Sequence, residues 1–302
     1  MSRARADALL LIVAVIWGTA FVAQKAGNEA MGPLGFVGAR FLLSFLALAP
    51  FAALEALRPD RARLTRSDVM LAAGIGLCLF VGAALQQAGL ASTSAGNGGF
   101  LTSLYVLFVP FIAWLLGGGR PRRMVLFACA LSVVGAWLLT ARGALQRFSE
   151  GDALVSIAVV AFALAIVLVP LFLERAARPF FLAFAQYGVA GALGLAGGSG
   201  FETLSLDAAA AVLPALLYTG LVSGGVAYTL QIVAQKHTPP AEAALIMSLE
   251  SVFAALAGAA LLSERLTPAA LVGCALILVG VVAVEIGPAR GESEHGRRGG
   301  DP

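Results

Sequence analysis

Ten long apolar runs, separated by short polar or proline-bearing breaks, set the pattern of this chain. The runs fall at about 8–25, 33–54, 68–89, 95–117, 122–141, 152–172, 179–197, 208–232, 240–262 and 268–286. Each approaches the roughly 20 residues that an α-helix needs to cross a hydrocarbon layer about 30 Å thick. The breaks carry Gly32-Pro33, Arg58-Pro59-Asp60, Gly119-Arg120-Pro121, Arg178-Pro179, Pro239-Pro240 and Thr267-Pro268. Proline in the first helical turn gives up an N–H that has no partner there anyway, so these residues start helices well. The pattern predicts an all-α polytopic membrane bundle of ten transmembrane helices, with no loop long enough to form a soluble domain. Arg3 and Arg5 followed by an apolar run have the layout of a secretory signal. That run is long for a signal, contains Trp17 and is followed by others of the same kind, so it is expected to be a retained first helix.

Composition agrees with lipid as the surrounding medium. Of 302 residues, 60% are hydrophobic and 12% charged, against about 25% charged in a typical soluble domain. The 35 glycines fit membrane helices, where they let backbones approach closely. The net charge of +3 is spread over short basic clusters between apolar runs, which argues against a nucleic-acid footprint. With the N-terminus inside, the inner segments hold Arg3, Arg5, Arg58, Arg61, Arg63, Arg66, Arg120, Arg122, Arg123, Arg175, Arg178, Lys236, Arg290, Arg297 and Arg298. The outer side keeps Lys25, Arg40, Arg142, Arg147 and Arg265. This bias predicts cytoplasmic termini in a bacterial-type inner membrane. Cys78, Cys129 and Cys274 lie in apolar runs without metal-ligand spacing and read as buried inert thiols.

The chain also repeats itself at a shift of about 145 residues. Leu85-Gln86 matches Leu230-Gln231, Ser103-Leu104 matches Ser248-Leu249, and Phe108 matches Phe253. Arg120 matches Arg265, Leu126 matches Leu271, Cys129-Ala130-Leu131 matches Cys274-Ala275-Leu276, and Val134-Gly135 matches Val279-Gly280, all without a gap. The expected units are 1–145 and 146–287, followed by a disordered tail at 288–302. Five helices per unit is an odd number, so the second copy enters the membrane upside down. Such inverted repeats offer two near-equivalent arrangements, one open to each side, and are characteristic of secondary carriers.

Three segments carry a family resemblance: 16–27 (IWGTAFVAQKAG), 99–121 (GFLTSLYVLFVPFIAWLLGGGRP) and 248–268 (SLESVFAALAGAALLSERLTP), with 273–282 (GCALILVGVV) following. In these the chain resembles the EamA family of the drug/metabolite transporter superfamily, over nearly its whole length before the tail. The resemblance implies a ten-helix bundle whose central cavity moves small metabolites, without implying which. Two departures stand out. The acidic-basic pair closing each repeat's fourth helix is kept as Glu264-Arg265 but is Gly119-Arg120 in the first copy, and the sixth helix has Phe162 where the family often has tryptophan.

Polar residues inside apolar runs are the candidate substrate and translocation groups. Glu250 lies near the middle of the ninth helix, where an ionised carboxylate costs about 2.5–3.5 kcal/mol on insertion scales. It reads either as a coupling carboxylate facing a cavity or as a structural carboxyl bonded between helices. Arg40 is expected to snorkel to the outer surface or to form a structural ion pair, with a cavity-facing anion contact as the other reading. Lys25 and Glu29 read as interfacial. Gln86 and Gln87, with Gln231 at the equivalent site, offer amide donors and acceptors, and one of the adjacent pair should face inward. Trp17, Tyr105, Gln186 and Tyr228 complete the candidate wall, Trp17 and Tyr105 lying deeper than Trp114, Trp137 or Tyr187. The small-residue run from Ser94 to Gly99 reads as a packing site in preference to a hinge.

These features point to a secondary transporter of small metabolites such as amino acids, with export favoured, proton coupling left open, and no cofactor, metal or nucleic acid as partner. No phosphate-cradling loop appears. A non-transporting scaffold or sensor is the alternative. An intramembrane serine protease is disfavoured, because Ser199 in Gly197-Gly198-Ser199-Gly200 is expected on the outer side while His237 is on the inner, leaving no base within reach. Spacings such as Gly220 and Gly224 suit packing within one chain or a homodimer.

Overall fold

The computed structural model describes residues 1–58, 63–140, 149–261 and 266–286. The expected tail, Arg142, Arg147 and the Glu264-Arg265 pair lie outside the described residues. Among the described residues ten long helices run back and forth: α1 (Arg3–Gly27), α2 (Pro33–Ala56), α3 (Arg66–Gly89), α4 (Ala95–Leu115), α5 (Arg123–Thr140), α6 (Glu150–Ala176), α7 (Pro179–Phe201), α8 (Leu213–Gln235), α9 (Pro240–Leu261) and α10 (Pro268–Ile286). Eight are long and apolar enough to cross a membrane, and α5 and α10 are shorter apolar helices packed on each other. Large apolar side chains such as Leu54, Phe111, Trp114, Trp137 and Leu278 point outward. Trp114 and Trp137 thus lie away from the interior.

The helix ends differ from the hydropathy reading in two places. Helix α1 begins at Arg3, because its polar first turn finds partners: Arg3 and Asp7 pair with each other, Arg3 also with Glu242 in the first turn of α9 and Asp7 with Thr238 just before it. The eighth run is split. Leu206–Ala211 forms a short separate helix, and α8 starts afresh at Leu213 with Pro214 in its first turn, where a proline costs no hydrogen bond.

The packing follows the inverted repeat. Helices α2 and α7, equivalent in the two units, lie against each other, as do α5 and α10; the α3–α6 pairing has its counterpart in α8–α1. At the α2–α7 contact both helices present glycine. A Cβ on Gly194 would lie 2.5 Å from the Gly38 backbone nitrogen, and one on Gly198 would lie 3.0 Å from Gly35. Without a water-driven hydrophobic term between helices in lipid, such close backbone approach supplies the dispersion energy of association. Gly220 and Gly224 of α8 are used within the chain in the same way, against Arg40, Leu43 and Ser44 of α2.

Each end of the α2–α7 pair is closed by a glutamate. Glu55, near the end of α2, accepts from the backbone N–H of Phe181 at 2.8 Å and of Phe180 at 3.4 Å. Glu202, just past α7, accepts from Leu34 at 2.9 Å and Gly35 at 2.7 Å. Each carboxylate therefore satisfies orphan N–H groups at the start of the other helix and sits at the favourable end of its dipole. Neither Ser nor Thr occupies these N-cap positions, which are Gly32 and Arg178. Glu202→Ala and Glu55→Ala should each lower stability by about 1 kcal/mol, the usual value of a cap, read as a lower melting temperature of the purified protein in detergent. Gly38→Leu should cost more, about 1–3 kcal/mol from overpacking; wild-type melting of that variant would show that the glycine seam does not hold the pair.

Candidate functional site

Eight of the ten long helices, all but α5 and α10, contribute side chains to a central cavity, a narrow one of about 50 Å³. Its wall contains eight of the nine residues singled out in the sequence: Trp17, Arg40, Gln86, Tyr105, Gln186, Tyr228, Gln231 and Glu250. Most of the wall obeys the 145-residue shift. Trp17 and Phe162, Ala20 and Ala165, Phe21 and Ile166, Gln24 and Val169, Gln86 and Gln231, and Tyr105 and Glu250 are equivalent pairs, and both members of each line the cavity. Phe162 thus stands opposite the tryptophan of the other unit. Symmetry frames the site, and the departures from symmetry make it chemically directional.

The two charged members are both buried. Arg40 is held by a hydrogen bond from its Nη1 to Gln24 Oε1 at 2.9 Å and lies over the Phe41 ring at 4.8 Å, while its Nε has no partner. It does not snorkel: its side chain stays inside the bundle, since Gln24 and the Phe41 face offer contacts that the lipid does not. Glu250 Oε1 and Tyr105 Oη make no hydrogen bond of good geometry, although the two side chains lie close enough to interact with each other. Tyr228 lies within electrostatic reach of both Arg40 and Glu250. Its ring meets Trp17 at 4.5 Å between centroids, and Trp17 Nε1 donates to Ser223 O at 3.3 Å.

Local backbone irregularity positions these groups. Helix α4 is interrupted at Leu104 and α9 at Ser248-Leu249, which are equivalent positions. In both, the serine before the interruption turns back onto its own helix: Ser103 Oγ donates to Phe100 O at 2.7 Å and Ser248 Oγ to Leu245 O at 2.6 Å. Tyr105 and Glu250 are the first residues after these short turns, in which Leu104 and Ser248 keep helical backbone angles and bonds such as Leu107 N–H to Leu104 O and Val252 N–H to Leu249 O carry the helix on. Short 3₁₀ turns within a helix often mark a functional hinge, and both of these lie beside the cavity. In α8 the segment Tyr218–Tyr228 is wound as a π-helix, which sets Ser223 and Tyr228 into the wall; such widening is frequent at functional sites.

The remaining polar residues divide. Gln86 donates to Thr102 Oγ1 at 2.9 Å and Gln231 to Gln235 Oε1 at 3.0 Å, and Gln186 is buried in the wall. Gln87 is on the other face of α3 and does not reach the cavity. Its amide donates to Gln24 O and Asn28 Oδ1, both at 2.8 Å, tying α3 to the end of α1. Tyr187 is fully buried, its hydroxyl donating to Gly224 O at 2.9 Å and its ring stacked on Phe41. Lys25 donates to Thr93 O at 2.6 Å, satisfying a carbonyl just past α3. In the Ser94–Gly99 run, Gly98 and Gly99 face Leu90 and Ala254 closely, whereas Gly96 has open space.

Sequence reasoning missed Gln24, Thr102 and Ser223 in the wall. It also missed Asp7, Thr93, Asp152 and Thr238 near the helix ends, where Thr93 donates to Asp152 Oδ1 at 2.6 Å and Thr238 to Asp7 Oδ1 at 2.8 Å. The 145-residue shift relates these two contacts and would have exposed them. Among the described residues no three His, Cys, Asp or Glu side chains come together as a metal ion would require. The Ser199 hydroxyl is used on its own helix, donating to Ala196 O at 3.0 Å.

Comparison with known proteins accords with this architecture. The model of the EamA-like transporter family matches twice, at residues 4–141 and 149–286. An uncharacterized transporter of Archaeoglobus fulgidus is 32% identical over 286 residues, spanning 95% of this chain and 87% of that protein. A solved crystal structure superposes with a TM-score of 0.72 over 94% of this chain and 97% of the other at 20% identity, which speaks for the fold alone. With two matched repeats covering almost all of its helices, the chain is a member of the EamA-like transporter family, a multi-pass membrane transporter.

Proposed function

We propose that this carrier exports small zwitterionic solutes, amino acids or close relatives, by alternating access through the central cavity. One observation carries the reading: a buried guanidinium and a buried carboxylate, each with an unpartnered polar atom, line the same cavity. Leaving buried charged groups short of partners is costly. A solute bearing both a carboxylate and an ammonium group supplies what both lack, its carboxylate at Arg40 and its ammonium at Glu250. Trp17, Phe162 and Tyr228 then cover its apolar part, and Gln186 and Gln231 offer amides to its edge.

Under this reading Glu250 exchanges a proton or the solute's ammonium as the cavity changes face, and no ATP-binding loop is needed. The basic residues in the segments beside the N-terminus support a reading in which that end of the bundle faces the cytoplasm of a bacterial-type inner membrane. No chemistry is assigned to the carrier beyond transport.

Untargeted metabolite analysis of medium and cytoplasm tests this in cells holding wild type, Glu250→Gln or no carrier. An amino-acid-like solute should build up in the medium with wild type alone, and the variant, at equal membrane level, should export about 10–100-fold more slowly, the value of one hydrogen bond to a charged group. Equal export by the variant would make Glu250 structural; no solute moved under several growth conditions would favour a scaffold. A second pair of variants separates cavity groups from structural ones. Tyr105→Phe, which deletes a hydroxyl beside Glu250 that makes no well-formed hydrogen bond, should leave stability within about 0.5 kcal/mol and slow transport. Tyr187→Phe breaks the bond to Gly224 and should cost about 1 kcal/mol of stability, read by thermal melting beside the transport assay.

A further inference from the structure

At each end of the bundle one repeat is joined to the other by the same contact. At the end bearing the N-terminus, Thr238, just before α9, donates to Asp7 of α1. At the far end Thr93, just before α4, donates to Asp152 of α6. The first turn of the following helix adds a residue to each contact at equivalent positions, Glu242 at the N-terminal end and Asn97 at the far end. Asn97 donates to Asp152 and to Thr93 Oγ1. Beyond each contact runs a half-helix, Ala95–Ser103 in α4 and Pro240–Met247 in α9, ending at the interruption that leads into Tyr105 or Glu250 on the cavity wall.

We propose that the two contacts are the latches of two gates: the half-helices Ala95–Ser103 and Pro240–Met247 swing about Leu104 and Ser248-Leu249, and the N-terminal latch is the stronger. This rests on the carrier reading of the cavity, since gates have no use in a scaffold. Two independent observations make the latches unequal. Glu242 pairs with Arg3 of α1 and with Arg122, which precedes α5, so the N-terminal latch is also ionic and spans both repeats. The positions equivalent to Arg3, Arg122 and Glu242 hold Phe148, Thr267 and Asn97, none of them charged, and the cation beside the far latch, Lys25, binds the Thr93 carbonyl and not a carboxylate. The half-helices differ as well. Ala95–Ser103 contains Gly96, Gly98 and Gly99, whereas Pro240–Met247 contains no glycine, and glycine inside a helix makes it easier to unwind. The empty carrier therefore opens more readily at the far end. Because Arg3 and Arg122 are partly exposed, concentrated salt weakens the N-terminal latch selectively.

The test reads gating without any solute, so a wrong assignment of substrate leaves its outcome standing. In a background with alanine at Cys78, Cys129 and Cys274, Ala165→Cys places a thiol in the cavity wall. Its labelling by a membrane-impermeant maleimide is followed from each face of sealed vesicles. Ser2→Cys, assayed separately, identifies the face that carries the N-terminal end, so an inverted orientation is seen as such. Labelling should be faster from the far face. Glu242→Gln should raise labelling from the N-terminal face by about threefold or more, molar salt should do the same, and Asp152→Asn should raise labelling from the far face alone. A disulfide between Asp7→Cys and Thr238→Cys should block labelling from the N-terminal face only and release it on reduction, which also shows that the variant is folded. The proposal is overturned if Glu242→Gln leaves the N-terminal face unchanged, if either latch variant acts on the wrong face, or if the disulfide blocks neither.

Discussion

A polar group facing hydrocarbon has no solvent to fall back on, so its partner must come from the protein. This constraint organises the bundle. Backbone groups along the helices satisfy one another, which leaves the helix ends as the places where partners must be brought in. Glu55 and Glu202 do this across the α2–α7 pair. Asp68 and Asp152 do it locally, each closing a capping box with the residue three before it, Thr65 and Ser149. The glycine seam matters for the same reason. Backbones in close contact recover in dispersion what lipid does not supply by hydrophobic exclusion.

Against that background, unpartnered atoms stand out. Arg40 Nε, Tyr105 Oη and Glu250 Oε1 belong to side chains that line one cavity. Gln87 Oε1 and Ser132 Oγ are also open, away from the cavity, but only at the cavity do three such groups gather where something else could meet them. Under the proposed reading that something is the solute, and its carboxylate and ammonium complete the set. The cation and the carboxylate do not stand at equivalent positions: Arg40 corresponds to Ala185, and Glu250 to Tyr105. The inverted repeat thus builds a symmetric container, and departures from the repeat orient whatever enters it.

Symmetry also ties the cavity to the bundle's ends. The residues that open the second halves of α4 and α9 are wall residues, and the first halves begin beside the Thr–Asp contacts. Under the gate proposal, a change at either end reaches Tyr105 or Glu250 through eight or nine residues of helix. Alternating access asks for just such a link between an end of the bundle and the solute site.

Ten spans, two copies and their opposed directions were legible in the sequence, because hydropathy is a property of consecutive residues and a repeat is found by sliding a chain along itself. Even the equivalence of Gln86 with Gln231 follows from that comparison alone. What each polar residue touches was not legible, since it depends on how far a helix is rotated about its axis and on which distant helix it meets. Gln86 and Gln87 are neighbours in the chain, yet one lines the cavity and the other binds α1. Arg40 could be read from its depth as reaching for the outer surface; Gln24, sixteen residues earlier on another helix, turns it inward. The sequence by itself determined a membrane bundle of two inverted units, through local apolar length and internal likeness. Only the tertiary structure decided which of its polar side chains share a cavity, because that choice is made by contacts between helices far apart in the chain.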